Sequence, residues 1–168
     1  MFGYPSKEKV YEHNLCQTDY YDLHRKKLLE IVSDKYNFIG LDKGQKVSMD
    51  QYFQKMHESK IVMSPFGFGE MNPRDVQSAM LGSVLIEPDM SYILSKPFIY
   101  KDDETYIAVN YDWSNLEEKI DYVLSDYENI RDKLVNNFRK KFTDRYDKKN
   151  LVLHFYNILK NLNGVTSE

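Results

Sequence analysis

The stretch from Ser59 to Asp89 constrains the fold of this chain most, because it predicts a strand, a glycine loop, a helix and a second strand in succession. Ile61–Met63 and Val84–Ile86 are short apolar runs, as expected for strands buried on both faces. The second strand is expected to end where Glu87-Pro-Asp turns the chain outward. In a parallel sheet the carboxyl ends of the strands share one edge, so the glycine loop and the acidic loop should meet there.

The helix between these strands carries clear signals at both ends. Asn72 can accept a hydrogen bond from a free amide of the first turn, and Pro73 lacks an amide that would have had no partner. The helix is predicted to run from about Pro73 to Leu81 and to be closed by Gly82. Its amino terminus therefore directly follows the glycine loop.

Residue spacing predicts further elements along the chain. They are a helix from Asp19 to about Lys35, a strand at Phe38–Leu41, a helix opened by the capping box Ser48–Gln51, a strand at Thr105–Val109, a long helix opened by a capping box at Ser114–Glu117, and a final helix over Lys149–Leu162. Helices alternating with short apolar strands indicate the α/β class. We therefore expect residues 1–168 to form a single Rossmann-like domain, with a mainly parallel sheet flanked by helices and with long C-terminal helices.

The long helix after Ser114 has an apolar stripe whose spacing is close to a heptad. Such a stripe is more often the face that packs a helix onto its own domain, which is the prediction here. A coiled-coil partner is the alternative.

Composition excludes several classes of protein. The net charge is −3, which does not favour a nucleic-acid partner. Cys16 is the single cysteine and the four histidines have no ligand-like spacing, so we expect neither a disulfide nor a metal site. The sequence predicts no membrane span and no signal segment, and we expect a cytoplasmic protein.

The Ser59–Asp89 stretch resembles the C-terminal, donor-nucleotide half of GT-B glycosyltransferases, and most of all the exostosin-related and CgeB-like group. That pattern is a strand ending in Ser-Pro, a glycine loop with an acidic residue, a helix opening with Arg-Asp, a glycine, an apolar strand and Pro-Asp. The matching residues are Ser64, Pro65, Gly67, Gly69, Glu70, Arg74, Asp75, Gly82, Pro88 and Asp89.

The resemblance implies a domain that binds a nucleotide sugar, as substrate and not as cofactor, without a metal. It implies a donor site at Ser64, Gly67, Gly69, Glu70, Arg74, Asp75 and Asp89. Arg74 would hold the diphosphate, and Glu70 and Asp89 would hold hydroxyl groups. The residue types agree, because a helix start and an arginine fork both suit phosphate. The resemblance does not identify the catalytic residues.

Plainer roles remain open for these residues. Gly67 and Gly69 could serve only a tight turn, Glu70 and Asp75 could interact with the helix dipole, and Asp89 could shape a turn. A non-catalytic α/β binding or interaction module is the alternative function.

GT-B enzymes bind the acceptor in a separate N-terminal domain, for which 168 residues leave no room. We therefore expect an excerpt of a longer enzyme, a protein completed by an acceptor-binding domain or by self-association, or a domain that binds without turnover.

Overall fold

The fold is given by a computed structural model that describes residues 22–33, 35–39, 47–67, 69–93 and 98–163. The described helices are α1 (residues 22–32), α2 (Met49–Glu58), α3 (Pro73–Leu81), α4 (Leu116–Ser125), α5 (Tyr127–Tyr146) and α6 (Lys148–Asn163). The described strands are β1 (Ile61–Met63), β2 (Val84–Pro88) and β3 (Ile107–Val109). This Rossmann-like α/β architecture confirms the predicted fold class.

The three described strands form a parallel sheet in the order β1-β2-β3. Ile61 is in register with Val84, and Ile86 with Ile107. Helix α3 connects β1 to β2, as the sequence predicts. The carboxyl ends of all three strands therefore lie at one edge, where the loops after β1 and β2 begin.

Side chains alternate between the two faces of the sheet and build a core on each face. The first core contains Val84 and Ile86 of β2 together with residues of α1, α4 and the start of α5. The second core contains Leu85, Met90, Tyr100 and Tyr106, with contributions from α3 and the later part of α5. The sheet is thus covered on both sides, as a parallel sheet requires.

Local capping confirms the predicted starts of α2 and α3. Ser48 and Gln51 form the predicted capping box at α2. At α3, the Asn72 side chain accepts a hydrogen bond from the Arg74 amide at 3.0 Å. Gly82 ends α3 in the left-handed conformation, with a φ of 91°. Side chains close in sequence were sufficient to place these boundaries.

Several predicted details are wrong. The strand predicted at Thr105–Val109 begins only at Ile107, because residue 105 lies in a turn. The capping box expected at Ser114–Glu117 is not formed, because α4 begins at Leu116 after Asn115 and without a side-chain cap. The expected long helix is broken at Asp126, whose ψ of 51° is not helical, into α4 and α5. Phe38 and Ile39 are not in a strand; the rest of that predicted strand, residues 40–41, lies outside the described residues.

Strand β2 is also longer than predicted. It continues through Glu87 and Pro88, which pair with Ala108 and Val109 of β3. The outward turn therefore starts at Asp89, and Glu87 is a strand residue. The reason is that the backbone pairing with β3 continues past the apolar run from which the strand end was predicted.

The apolar stripe of α4 and α5 is buried in the two cores, through Leu116, Ile120, Val123, Ile130, Leu134 and Phe138. This confirms that the stripe packs on its own domain. Helix α6 differs, because its apolar side chains are largely exposed: Val152 by 63%, Phe155 by 57% and Leu159 by 60%. Among the described residues, α6 is therefore a helix whose apolar side chains are left largely uncovered.

None of the helices in the described part of the chain has both the length and the apolar character needed to cross a membrane. Cys16, which bears on the disulfide prediction, lies outside the described residues.

Candidate functional site

The loop between β1 and α3 brings a helix start to the carboxyl edge of the sheet. Ser64 follows β1 directly, and its amide donates to the carbonyl of Ile86 at 2.9 Å, which ties the loop to β2. Farther along, the Gly67 amide donates to the Gly69 carbonyl at 3.3 Å. The positive end of the α3 dipole therefore lies beside this loop.

A cavity of about 230 Å³ lies at this point, with a wall that includes Arg25, Tyr52, Gly67, Arg74 and Gln77. Neither arginine forms an ion pair with a carboxylate in the described part of the chain. Arg74 makes one long hydrogen bond, from Nη1 to the Met63 carbonyl at 3.4 Å. We call Arg25, Arg74 and this cavity the arginine site.

Arg25 is the member of this site that the sequence did not predict, because it reads as an ordinary exposed charge of an amphipathic helix. A methyl group added at Gly67 would lie 3.4 Å from Arg25 Nη2, so the guanidinium lies directly over the loop. No pattern within a short stretch of sequence predicts this contact, because Arg25 and Gly67 are far apart in the chain.

Aromatic contacts position Arg25 by fixing its neighbour in α1. The His24 ring stacks 4.6 Å from Tyr111, and its Nε2 donates to the Tyr111 carbonyl at 2.8 Å. Trp113 Nε1 donates in turn to the His24 carbonyl at 3.0 Å. Burial lowers the pKa of His24, which favours the neutral ring. Helix α1 is thus anchored to the segment after β3, with Arg25 facing the loop.

Asp75 is the centre of a buried hydrogen-bond network behind the arginine site. Its carboxylate accepts from Ser64 Oγ at 2.7 Å, from the Asn72 amide at 3.0 Å and from the Tyr100 hydroxyl at 2.8 Å. Asn72 Nδ2 also donates to Ser64 Oγ at 2.7 Å. Asp75 and Ser64 are each 0% exposed. The network therefore joins β1, the start of α3 and the segment before β3.

Opposing effects act on the charge of Asp75. Burial raises the pKa of its carboxyl group, whereas the hydrogen bonds donated by Asn72, Ser64 and Tyr100 lower it. All three partners are donors and therefore favour the carboxylate form. Asp75 thus has a role in holding the fold, whatever else it contacts.

Glu87 is a second buried carboxyl group, although its place in Glu87-Pro-Asp predicts a residue of the outward turn. It is 0% exposed, and neither of its oxygens has a hydrogen-bond partner among the described residues. The alternation along β2 places its side chain on the face of Leu85, in the second core. Burial raises the pKa of Glu87 well above its usual value, and the negative charge of Asp75 raises it further. Glu87 is therefore expected to hold its proton in the folded protein.

The two tyrosines on this face remain protonated donors and acceptors. Burial raises the pKa of both Tyr100 and Tyr106, and nearby carboxylates raise it further. The Tyr106 hydroxyl accepts from the Met90 amide at 2.9 Å and lies 3.5 Å from Asp89 Oδ1. Tyr100 thus bonds to Asp75 and Tyr106 bonds to the loop after β2, and the two rings meet edge-on with their centroids 5.8 Å apart.

The remaining predicted site residues lie outside the arginine site. Gly69 and Glu70 are exposed and are not part of its cavity wall. Asp89 is exposed too, and its carboxylate accepts from the Ser91 amide at 2.9 Å and from Ser91 Oγ at 2.8 Å. The loop after β2 therefore has the turn geometry that was one of the two roles considered for Asp89.

Two glycines of this region should respond differently to alanine. Gly82 has a φ of 91°, and an added Cβ would lie 3.2 Å from Arg131 Nη2, so Gly82→Ala should cost about 1–2 kcal/mol of unfolding free energy. Gly69 lacks a left-handed φ and has open space around it, so Gly69→Ala should leave stability within about 0.5 kcal/mol. Urea unfolding of both variants tests this. Equal losses of unfolding free energy in the two variants would contradict the left-handed conformation of Gly82.

Within the described ranges, no group of three or more His, Cys, Asp or Glu side chains is placed to hold a metal ion. No protein-family model, curated protein or solved structure matched this chain when it was compared with them.

Proposed function

We propose that this chain is the donor-binding domain of a cytoplasmic GT-B-like glycosyltransferase and that it binds a nucleotide sugar through its diphosphate. The observation that carries the proposal is the arginine site, in which Arg25 and Arg74 line one cavity at the start of α3 and have no carboxylate partner among the residues that the structure describes. A guanidinium presents a planar fork of donors that suits phosphate oxygens.

Electrostatics favour an anion at this place. Arg25 and Arg74 repel each other where they line the same cavity, and a diphosphate between them would relieve that repulsion. The dipole of α3 adds to the attraction, although the Asn72 side chain already accepts from the Arg74 amide. The side chains are therefore expected to contribute more to phosphate binding than the amides of the first turn.

The other predicted contacts remain proposals. Glu70 and Asp89 are exposed near the same edge of the sheet and would accept hydrogen bonds from sugar or ribose hydroxyl groups. Ser64 and Asp75 would support the loop from behind, through the network that they form with Asn72. The catalytic base and the acceptor would come from an acceptor-binding domain or a second copy.

Calorimetry with a panel of UDP, GDP and CMP nucleotides and their sugars tests this function. One nucleotide class should bind saturably to the wild type. Arg25→Ala and Arg74→Ala should each lower the affinity by about 10- to 100-fold, since each removes charge-assisted hydrogen bonds. Lys26→Ala is the matched control, because Lys26 is exposed on the same helix and pairs with Glu30 at 3.9 Å. It should leave the affinity unchanged.

Failure of the whole panel to bind at millimolar concentration, with folding intact, would contradict a donor site. That outcome would favour the alternative function, a non-catalytic interaction module. One observation supports this alternative: the apolar side chains that α6 exposes, among them Val152, Phe155 and Leu159. Exposed apolar faces of this kind commonly mark contacts with other proteins. An equal loss of affinity in Lys26→Ala would indicate non-specific charge attraction.

A further inference from the structure

A second and larger cavity, of about 670 Å³, adjoins the arginine site. It lies between α1, α2 and β1 and shares Arg25, Tyr52, Pro65 and Arg74 with the smaller cavity. Its volume is within the range of small-molecule sites. One ligand could therefore extend from the arginines into this space.

The wall of the larger cavity is mainly hydrocarbon, from Leu28, Leu29, Val32, Phe38, Met56 and Ile61. Several of its polar side chains already have partners. The Tyr52 hydroxyl donates to Gln77 at 3.4 Å, Ser59 Oγ donates to the Lys55 carbonyl at 2.7 Å, and Lys60 Nζ lies 4.8 Å above the Tyr127 ring. The wall also includes Asn37, Lys55 and Glu58, but most of it is apolar, so a base and ribose would lie largely against hydrocarbon, whereas a hydrocarbon chain needs no polar partner.

We propose that this cavity binds the hydrocarbon chain of an amphiphilic phosphate, with the phosphate held by Arg25 and Arg74. The inference rests on the proposed function only in using the arginine site for phosphate. It differs in the group attached to that phosphate, which is apolar. Charge complementarity selects the headgroup, and the cavity wall selects the chain.

Chain length is the variable that separates this ligand from other anions. Each methylene moved from water into an apolar cavity contributes about 0.8 kcal/mol, or about a fourfold gain in affinity. Binding to the arginines alone would show no such dependence.

Calorimetry of the full chain with inorganic phosphate and with butyl, hexyl and octyl phosphate, each below its micelle concentration, measures this dependence. The affinity should rise about 16-fold for each two-carbon step. Octanoate, which has the chain but a carboxylate head with a single negative charge, should bind at least about tenfold more weakly than octyl phosphate. A flat series, or octanoate binding as tightly as octyl phosphate, would overturn the proposal.

Two leucines of α1 form a matched pair of variants. Leu29 is 43% exposed and lines the cavity, whereas Leu23 is 66% exposed and does not line it, so both should tolerate glutamine. Leu29→Gln should lower the affinity for octyl phosphate about 4- to 16-fold, equivalent to one or two lost methylenes, and leave inorganic phosphate unaffected. Leu23→Gln should change neither. Arg74→Ala should weaken every phosphate in the series by a similar factor.

The outcomes distinguish this inference from the proposed function. If a nucleotide binds and the alkyl series is flat, the inference is wrong and the donor site stands. If the affinity rises with chain length and no nucleotide binds, the arginine site serves an amphiphile and the nucleotide proposal is wrong. An equal loss of affinity for octyl phosphate in Leu23→Gln and Leu29→Gln would also overturn the inference.

Discussion

Asp75→Ala should lower the free energy of unfolding by about 3–5 kcal/mol, because hydrogen bonds to a charged group contribute about 1.5–3 kcal/mol each and the burial cost of the carboxylate offsets part of their sum. The substitution removes three hydrogen bonds at once and leaves the Ser64 and Tyr100 hydroxyls without their acceptor in the interior. It also removes the reciprocal half of the cap at the start of α3. Urea unfolding followed by circular dichroism measures the loss.

The matched control for this prediction is Asp89→Ala. Asp89 is exposed and bonds to Ser91 within its own turn, so its loss should cost less than about 1 kcal/mol. Tyr100→Phe removes one donor, so its loss of unfolding free energy should lie between those of Asp75→Ala and Asp89→Ala, at about 1 kcal/mol. If Asp75→Ala costs no more than Asp89→Ala, the buried network does not stabilise the fold. Because Asp75→Ala weakens the fold itself, a loss of ligand binding in that variant would not identify a ligand contact.

Glu87→Gln should stabilise the protein at neutral pH, because Glu87 must take up a proton to be buried and glutamine need not, a cost that grows by about 1.4 kcal/mol for each pH unit above the unfolded pKa until the folded pKa is passed. The raised pKa of Glu87 means that the folded state holds the proton more tightly than the unfolded state. Stability of the wild type therefore falls as the pH rises above the unfolded pKa of about 4.3, until the folded pKa is passed. Glutamine carries no titrating proton, so the advantage of Glu87→Gln should be small near pH 4 and should grow with pH.

Unfolding of wild type and Glu87→Gln in urea at pH 4, 6 and 8 measures that growing difference. Glu104→Gln is a control for which the expected change in stability has the opposite sign. Ion pairs from Lys101 and Lys141, each at 2.6 Å, lower the pKa of Glu104 to about 2. Its stabilising effect is present above the unfolded pKa and disappears as the pH falls toward 2, so Glu104→Gln should be less stable than wild type at neutral pH. A Glu87→Gln difference that does not change with pH would show that Glu87 is ionised or hydrated in the fold.

The arginine site was only half predictable. Arg74 follows a glycine loop and a helix-start signal, and both features can be read in a short window of sequence. Arg25 lies about forty residues before that loop, on a helix whose exposed charges look alike. Only the packing of α1, fixed by His24 and Trp113, places Arg25 over Gly67. Residues that meet through tertiary packing leave no local spacing to detect.

The roles of the predicted polar residues also depend on where their side chains point. Asp75 is three residues after Asn72, a spacing that suits a capping box, and its carboxylate turns inward to Ser64 and Tyr100. Glu87 ends an apolar run, which made a turn plausible, but pairing with Ala108 keeps it in the strand and buries it. One residue of strand length decides whether such a carboxyl group faces solvent or the core.

The sequence by itself determined the α/β class, the positions of β1, α3 and β2, and the closure of α3 by Gly82. These features arise from contacts within a turn of helix or from the alternation of side chains along a strand, which act between residues close in the chain. Tertiary structure decided the break at Asp126 and the exposure of the apolar side chains of α6. It also decided the burial of Glu87 and the position of Arg25 over the loop. Each of these depends on which surfaces of distant segments meet, and that is set by how the whole core packs.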